Sequence, residues 1–146
     1  MRHILFVCTG NTCRSPMAEA ILKNKNIVDV KVKSAGIYAA NGSEASIHAK
    51  RVLDDNQVPH QHRSQLLTAE AVEWADLILT MTSSHKFAIL QQFPNVVMKV
   101  FTLKEYTGET GSQDVVDPYG GSLAIYEETY HELEKLIDKA IEKFKA

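Results

Sequence analysis

One stretch near the N-terminus limits the fold more than any other. Residues 4–7 are uniformly apolar, Cys8-Thr9-Gly10-Asn11-Thr12-Cys13-Arg14-Ser15 follow at once, and helix-forming residues come next. An unbroken apolar run reads as a buried strand. Pro16, with Ala18, Ala20, Ile21 and Leu22 behind it, predicts a helix that begins after Ser15. A strand, a tight loop and a helix N-terminus form a natural seat for an anion, because the loop's N–H groups can turn inward as a nest and the helix adds partial positive charge.

The remaining sequence alternates in the same way. Short β-branched-rich runs at residues 28–32, 77–80 and 96–101 predict three further strands. Helices are expected at about 43–56, after Thr68 with Val72 and Trp74, after Ser83 with Phe87, Ile89 and Leu90, and at about 122–143. The last places Tyr126, Tyr130, Leu133, Ile137, Ile141 and Phe144 at spacings of three and four, with Glu128, Glu132, Lys135 and Lys139 opposite. The expectation is one α/β domain over residues 1–146: a four-stranded parallel sheet flanked by helices on both faces, with right-handed crossovers. Ligands of such sheets bind beyond the strands' carboxyl ends. The one long unpatterned stretch, 107–121, is of a length that usually serves function.

Composition narrows the function classes. Sixteen Lys and Arg against 18 Asp and Glu give a formal net charge of -2, so no overall basic field attracts nucleic acid or an anionic membrane. The apolar run at 4–8 is shorter than the roughly 7–15 residues of a signal-peptide core, and nothing approaches the roughly 18 of a membrane span. With only two cysteines, Cys8 and Cys13, a disulfide-stapled secreted scaffold is not expected. The reading is a cytoplasmic protein with reduced thiols.

Within the loop, Arg14 offers a planar, permanently charged fork to phosphate oxygens. Cys8 at the cradle's entrance feels the same positive field, which favours the nucleophilic thiolate. Ser15 is placed to donate a hydroxyl hydrogen bond to the sulfur. A lone cysteine is as readily an inert buried thiol; it is the strand–loop–helix setting that makes this one a nucleophile. Nucleotide-binding loops do not fit, since Gly10 is the only glycine before Gly36. Zinc does not fit either, because the cysteines lack a Cys-x2-Cys spacing, and His60 and His62 have no acidic or cysteine companion nearby.

The Cys8–Ser15 loop, the Ser34-Ala35-Gly36 turn and Asp117-Pro118-Tyr119-Gly120-Gly121 together resemble the low-molecular-weight protein tyrosine phosphatases across essentially the whole chain. The resemblance implies that Cys8 attacks phosphorus to form a phosphocysteine. It also implies that Arg14 and the loop residues Thr9, Gly10, Asn11, Thr12, Cys13 and Ser15 hold the phosphoryl group and that Asp117 is the acid for the leaving group; with no metal-ligand cluster and no nucleotide fingerprint in the sequence, activity without a cofactor is expected. Asp117 taken alone is a good turn residue, and Asp114 is the next candidate acid. By the same resemblance Asn11 anchors a network with Ser15, Ser34 and His62, and Cys13 can form a reversible disulfide with Cys8 that protects it from over-oxidation.

The family usually has isoleucine where this chain has Thr12. Thr12 with the Asp-Pro-aromatic-Gly-Gly loop is similar to the family's protein arginine phosphatase branch, which implies phosphoarginine in proteins as substrate and a protein arginine kinase as functional opponent. Tyr119 and Tyr38 would then wall the pocket and stack on the guanidinium plane. Alternatives remain: Thr12 as a tolerated isostere in a phosphotyrosine enzyme, an arsenate reductase, or a phosphocarrier. The reductase relay needs a third cysteine, which this chain lacks.

Overall fold

A computed structural model describes residues 2–145. Four strands, β1 (Arg2–Cys8), β2 (Val30–Gly36), β3 (Leu77–Thr80) and β4 (Val100–Thr102), form one sheet in the order β2-β1-β3-β4, and all pairs are parallel. Helices α1 (Arg14–Asn24), α2 (Ile47–Asp55), α3 (Ala69–Trp74), α4 (Ser83–Gln92), α5 (Leu103–Tyr106) and α6 (Leu123–Lys145) supply the crossovers and covers. β1 is paired on both edges, which explains why residues 4–8 are buried and apolar without alternation.

The strand's period of two still sorts the core. Ile4, Phe6 and Cys8 face a cluster shared with Met17 and Ile21 of α1 and Tyr130, Leu133 and Ile137 of α6. Leu5 and Val7 face the opposite cluster with Val72 of α3, Ile89 of α4 and Ile78 of β3. Cys8 therefore ends its strand on the α1/α6 side. α6 presents its apolar residues at spacings of three and four, and its buried stripe runs from Tyr126 to Phe144. No helix among the described residues is long and apolar enough to cross a membrane.

The chain leaves β1 for β2 on one side and reaches β3 on the other. The sheet order thus reverses between β1 and β3, where crevices open at the carboxyl ends. The loop after β1 sits at this switch point.

Several boundaries differ from the sequence expectation. β2 runs from Val30 to Gly36 rather than 28–32, because Asn26 and Asp29 adopt left-handed conformations (φ 52° and 63°) that turn the chain first and leave Val28 exposed. Ser34, Ala35 and Gly36 consequently end a strand instead of forming a turn. β4 shrinks to Val100–Thr102 because Pro94–Lys99 winds into 3-10 turns with Pro94 at their start, exposing Val97 and Met98. α1 starts at Arg14, two residues before Pro16, and has no side-chain cap. α2 is shorter than 43–56 because Ser46 caps it by accepting from the Ala49 N–H. The α4 cap is Thr82, not Ser83. α5 was not expected; Thr102 and Glu105 close it with a capping box.

Leu133 is fully buried between α6 and the sheet. Leu133→Ala is expected to cost about 2–5 kcal/mol of unfolding free energy, measurable by urea denaturation followed by far-UV circular dichroism.

Candidate active site

The loop after β1 turns its carbonyls outward into the protein. Those of Cys8 and Thr9 accept from the N–H groups of Ile37 and Tyr38, that of Thr12 from Ser46, and that of Cys13 from Met17. The Asn11 carbonyl accepts from His62 Nε2 at 2.7 Å. Conversely, no N–H of residues 9–13 donates to an acceptor among the described residues. A loop that turns the oxygens of Cys8, Thr9, Asn11, Thr12 and Cys13 to one side presents its N–H groups on the other, which is the geometry of an anion nest. Gly36 makes this packing possible. A Cβ there would lie 2.6 Å from the Thr9 carbonyl and 2.9 Å from the Asn11 nitrogen.

Asn11 holds the loop from inside. It is fully buried, and its left-handed φ of 56° suits asparagine. Its Nδ2 donates to Ser15 Oγ at 2.8 Å and Ser34 Oγ at 2.9 Å, and its Oδ1 accepts from the Gln65 N–H at 2.9 Å. Both serine oxygens therefore act as acceptors toward Asn11 and must spend their own protons elsewhere. Ser34 donates to Glu19. Ser15 has Cys8 Sγ at 2.8 Å, so its proton points at the sulfur.

Arg14, 4% exposed, projects across the same cavity. Its Nη1 donates to the Val115 carbonyl at 2.9 Å and its Nη2 lies 3.6 Å from Asp117 Oδ2. Val115 in turn donates from its N–H to the Met81 carbonyl, so the long loop is fastened to the end of β3. Asp117 Oδ1 accepts from the Tyr119 N–H at 3.0 Å, and the Gly121 N–H closes a turn onto the Pro118 carbonyl. The turn and the presentation of the carboxylate are one structure. Asp114 is committed elsewhere: its Oδ1 accepts from the Ser83 N–H at 2.8 Å, at the start of α4.

Cys8, Thr9, Gly10, Thr12, Cys13, Arg14, Asp117 and Tyr119 thus line one pocket of about 220 Å³. Tyr38 does not line it. Its side chain is 82% exposed and only its backbone touches the loop, a correction to the expected aromatic wall. Ser34 meets the Asn11 side chain and His62 its backbone carbonyl. Cys13 has its sulfur 3.2 Å from the Tyr126 hydroxyl, and its thiol donates to Ser46. Burial, then the Cys13 contact, pushes the Tyr126 phenol up to about 12. Among the described residues no three His, Cys, Asp or Glu side chains cluster in a way that could hold a metal ion.

The sequence reading did not single out Glu19, Gln65 or His85. His85, on the first turn of α4, has Nε2 2.8 Å from Thr9 Oγ1. Burial, then the Arg14 charge, lowers its pKa from 6.5 to about 4, against weaker opposing effects of Asp114 and Asp117. The unfolded chain therefore binds this proton more tightly than the folded one. The His85 contribution to stability is complete above about pH 6.5 and is lost as pH falls toward 4. Urea midpoints measured at pH 7 and pH 5 are expected to fall further for the parent than for His85→Leu.

Comparison with known proteins agrees with this geometry. Residues 3–146 match the family model described as low molecular weight phosphotyrosine protein phosphatase. The chain is 52% identical over 141 residues to a protein-arginine-phosphatase of Geobacillus stearothermophilus, covering 97% of this chain and 95% of that one. It is 48% identical over 146 residues to a protein-arginine-phosphatase of Bacillus subtilis, covering 97% and 96%. A solved structure of the arginine phosphatase YwlE, a cysteine-to-serine mutant with a phosphorylated active-site serine, superposes with a TM-score of 0.92 at 46% identity and covers 98% of this chain and 95% of its own. A family match over nearly every residue, on a chain that brings the cysteine loop, its arginine and the Asp-Pro loop around one pocket, leaves one conclusion: the chain belongs to the low molecular weight phosphotyrosine protein phosphatase family.

Proposed function

We propose that the protein hydrolyses phosphoarginine in proteins through a phosphocysteine at Cys8. The observation that carries the reading is the Ser15 hydroxyl 2.8 Å from Cys8 Sγ in a pocket that also holds Arg14 and Asp117. The Cys8 thiolate attacks phosphorus, the P–N bond breaks, and protonated Asp117 gives its proton to the departing nitrogen. Water then attacks the phosphocysteine while the Asp117 carboxylate takes its proton. The P–S bond breaks, releasing phosphate and returning the thiolate. Arg14 and the inward N–H groups of the loop stabilise charge on the phosphoryl oxygens in both steps. The phosphorylated serine at the active site of the YwlE mutant supports a side-chain phosphoryl acceptor at the matching loop.

Thr12 lines the pocket and supplies a hydroxyl where an apolar residue would suit a phenol ring. The identity to two protein-arginine-phosphatases supports the same substrate. The substrates are then proteins marked by a protein arginine kinase, and the site of action is the cytoplasm. Cys13, lining the same pocket as Cys8, is the resolving thiol after peroxide oxidation. A phosphotyrosine preference is the second reading, favoured by Tyr119 at the pocket wall, whose ring suits a flat phenol as well as a guanidinium.

The decisive experiment compares phosphoarginyl and phosphotyrosyl peptides. The parent is expected to prefer phosphoarginine and Thr12→Ile to shift turnover toward phosphotyrosine. A phosphotyrosine-preferring parent indifferent to the exchange rejects the arginine reading. Asp117→Asn is expected to slow phosphocysteine formation by about 10²–10⁴ for poor leaving groups, read by single-turnover quench; unchanged rates reject the acid assignment.

A further inference from the structure

Thr9 and His85 are 76 residues apart, yet their side chains meet at 2.8 Å. Thr9 directly follows Cys8, is exposed, and lines the pocket. His85 is 7% exposed and cannot turn away freely. Its backbone N–H is held by the Thr82 cap at 3.2 Å, and α4 is itself tied to the acid loop through Ser83 and Asp114. Among the described residues, the only hydrogen bond of this buried imidazole runs to the hydroxyl beside Cys8.

The proton arrangement of the pair follows from His85 Nδ1. That atom is buried and has no hydrogen-bond partner among the described residues. A buried N–H without an acceptor is rarer and costlier than a buried lone pair without a donor. The neutral ring therefore carries its proton on Nε2 and donates it to Thr9 Oγ1. Arg14, Asp114 and Asp117 are the charged groups that act on the ring, and burial together with Arg14 keeps it neutral near pH 7. With one lone pair of Thr9 Oγ1 engaged by His85, the second lone pair and the hydroxyl proton remain for the pocket.

A phenol leaving group offers that lone pair only ring C–H edges, whereas a guanidinium offers N–H donors. We infer that the Thr9 hydroxyl accepts a hydrogen bond from the guanidinium of the leaving group, and that His85 is the positioning residue that aims it, so that the pair contributes to selection of phosphoarginine over phosphotyrosine. This rests on the substrate reading above. It adds a second hydroxyl, on the other side of Gly10 from Thr12 in sequence, whose direction is fixed by α4.

The test is the ratio of kcat/KM for a phosphoarginyl peptide to that for a phosphotyrosyl peptide. Parent, Thr9→Val, Thr9→Ser, His85→Leu and His85→Gln are compared, with thermal melts for each. Thr9→Val and His85→Leu are expected to lower the ratio roughly five- to tenfold, the scale of one hydrogen bond. Thr9→Ser keeps the hydroxyl and His85→Gln keeps an N–H donor near Nε2, so both are expected to hold the ratio within about twofold. A parental ratio in Thr9→Val overturns the inference, and this arm stands even if the buried His85 variants fold poorly, because Thr9 is exposed. A folded His85→Gln that loses as much as His85→Leu overturns the positioning role. A parent that leaves phosphoarginine untouched overturns the substrate reading and this inference with it, whereas an active parent with an unchanged Thr9→Val ratio overturns this inference alone.

Discussion

The amide of Asn11 is the interaction on which the site depends. An amide group has two donors and one acceptor oxygen with fixed identities, so burying it forces the polarity of everything it touches. Because Nδ2 donates to both Ser15 and Ser34, neither serine can aim its proton back at it. One proton is left for Glu19 and the other for Cys8. A leucine or serine at that position would leave the Ser15 rotor free. The fully buried amide converts a rotatable hydroxyl into a fixed donor to Cys8 Sγ, and a satisfied buried network is stiff enough to keep it so.

Around that anchor the loop obeys a simple division. Its carbonyls are bound by backbone N–H groups after β2 and at the starts of α1 and α2, and by His62, while its N–H groups remain for an anion. The close approach at Gly36 and the switch point between β1 and β3 are the two fold-level conditions for this division. The first lets β2 crowd the loop from behind. The second leaves the front open, since the crossovers that follow β1 and β3 diverge from one another.

Much of this was legible in the sequence because it is local. β3 appears where its apolar run lies, and the cysteine loop, Thr68 cap and α6 stripe follow from neighbouring residues. Local signals failed where tertiary packing decided. The runs at 28–32 and 96–101 are apolar enough for strands, yet left-handed residues and Pro94 displace both boundaries. Asn11, Ser15, Ser34 and His62 were recoverable only because the family pattern names their positions. Gln65 and His85 reach the loop from separations of 54 and 76 residues, and nothing in a single chain marks such contacts. Tyr38 was misplaced for the complementary reason: its backbone is at the site, but the strand end that fixes its N–H on Thr9 sends its side chain to solvent.

Arg14 joins the two halves of the chemistry. One end of its guanidinium holds the Val115 carbonyl and the other faces Asp117, so the group that would clamp phosphoryl oxygens also braces the loop that carries Asp117. A lysine has the charge but sends all its donors from one nitrogen, without the planar fork whose separate nitrogens face Val115 and Asp117 here. Asp117 is half exposed and keeps Oδ1 on the Tyr119 N–H, with Oδ2 turned to Arg14 Nη2. The floor of the pocket is therefore built from loop backbone and the buried Cys8, Cys13 and Arg14. The side chains of Thr9, Thr12, Tyr119 and Asp117 also line the pocket. Under the function proposed above, the phosphoryl group would meet the loop's N–H groups and the leaving group would meet these rim side chains, which hold none of the carbonyl bonds that shape the loop.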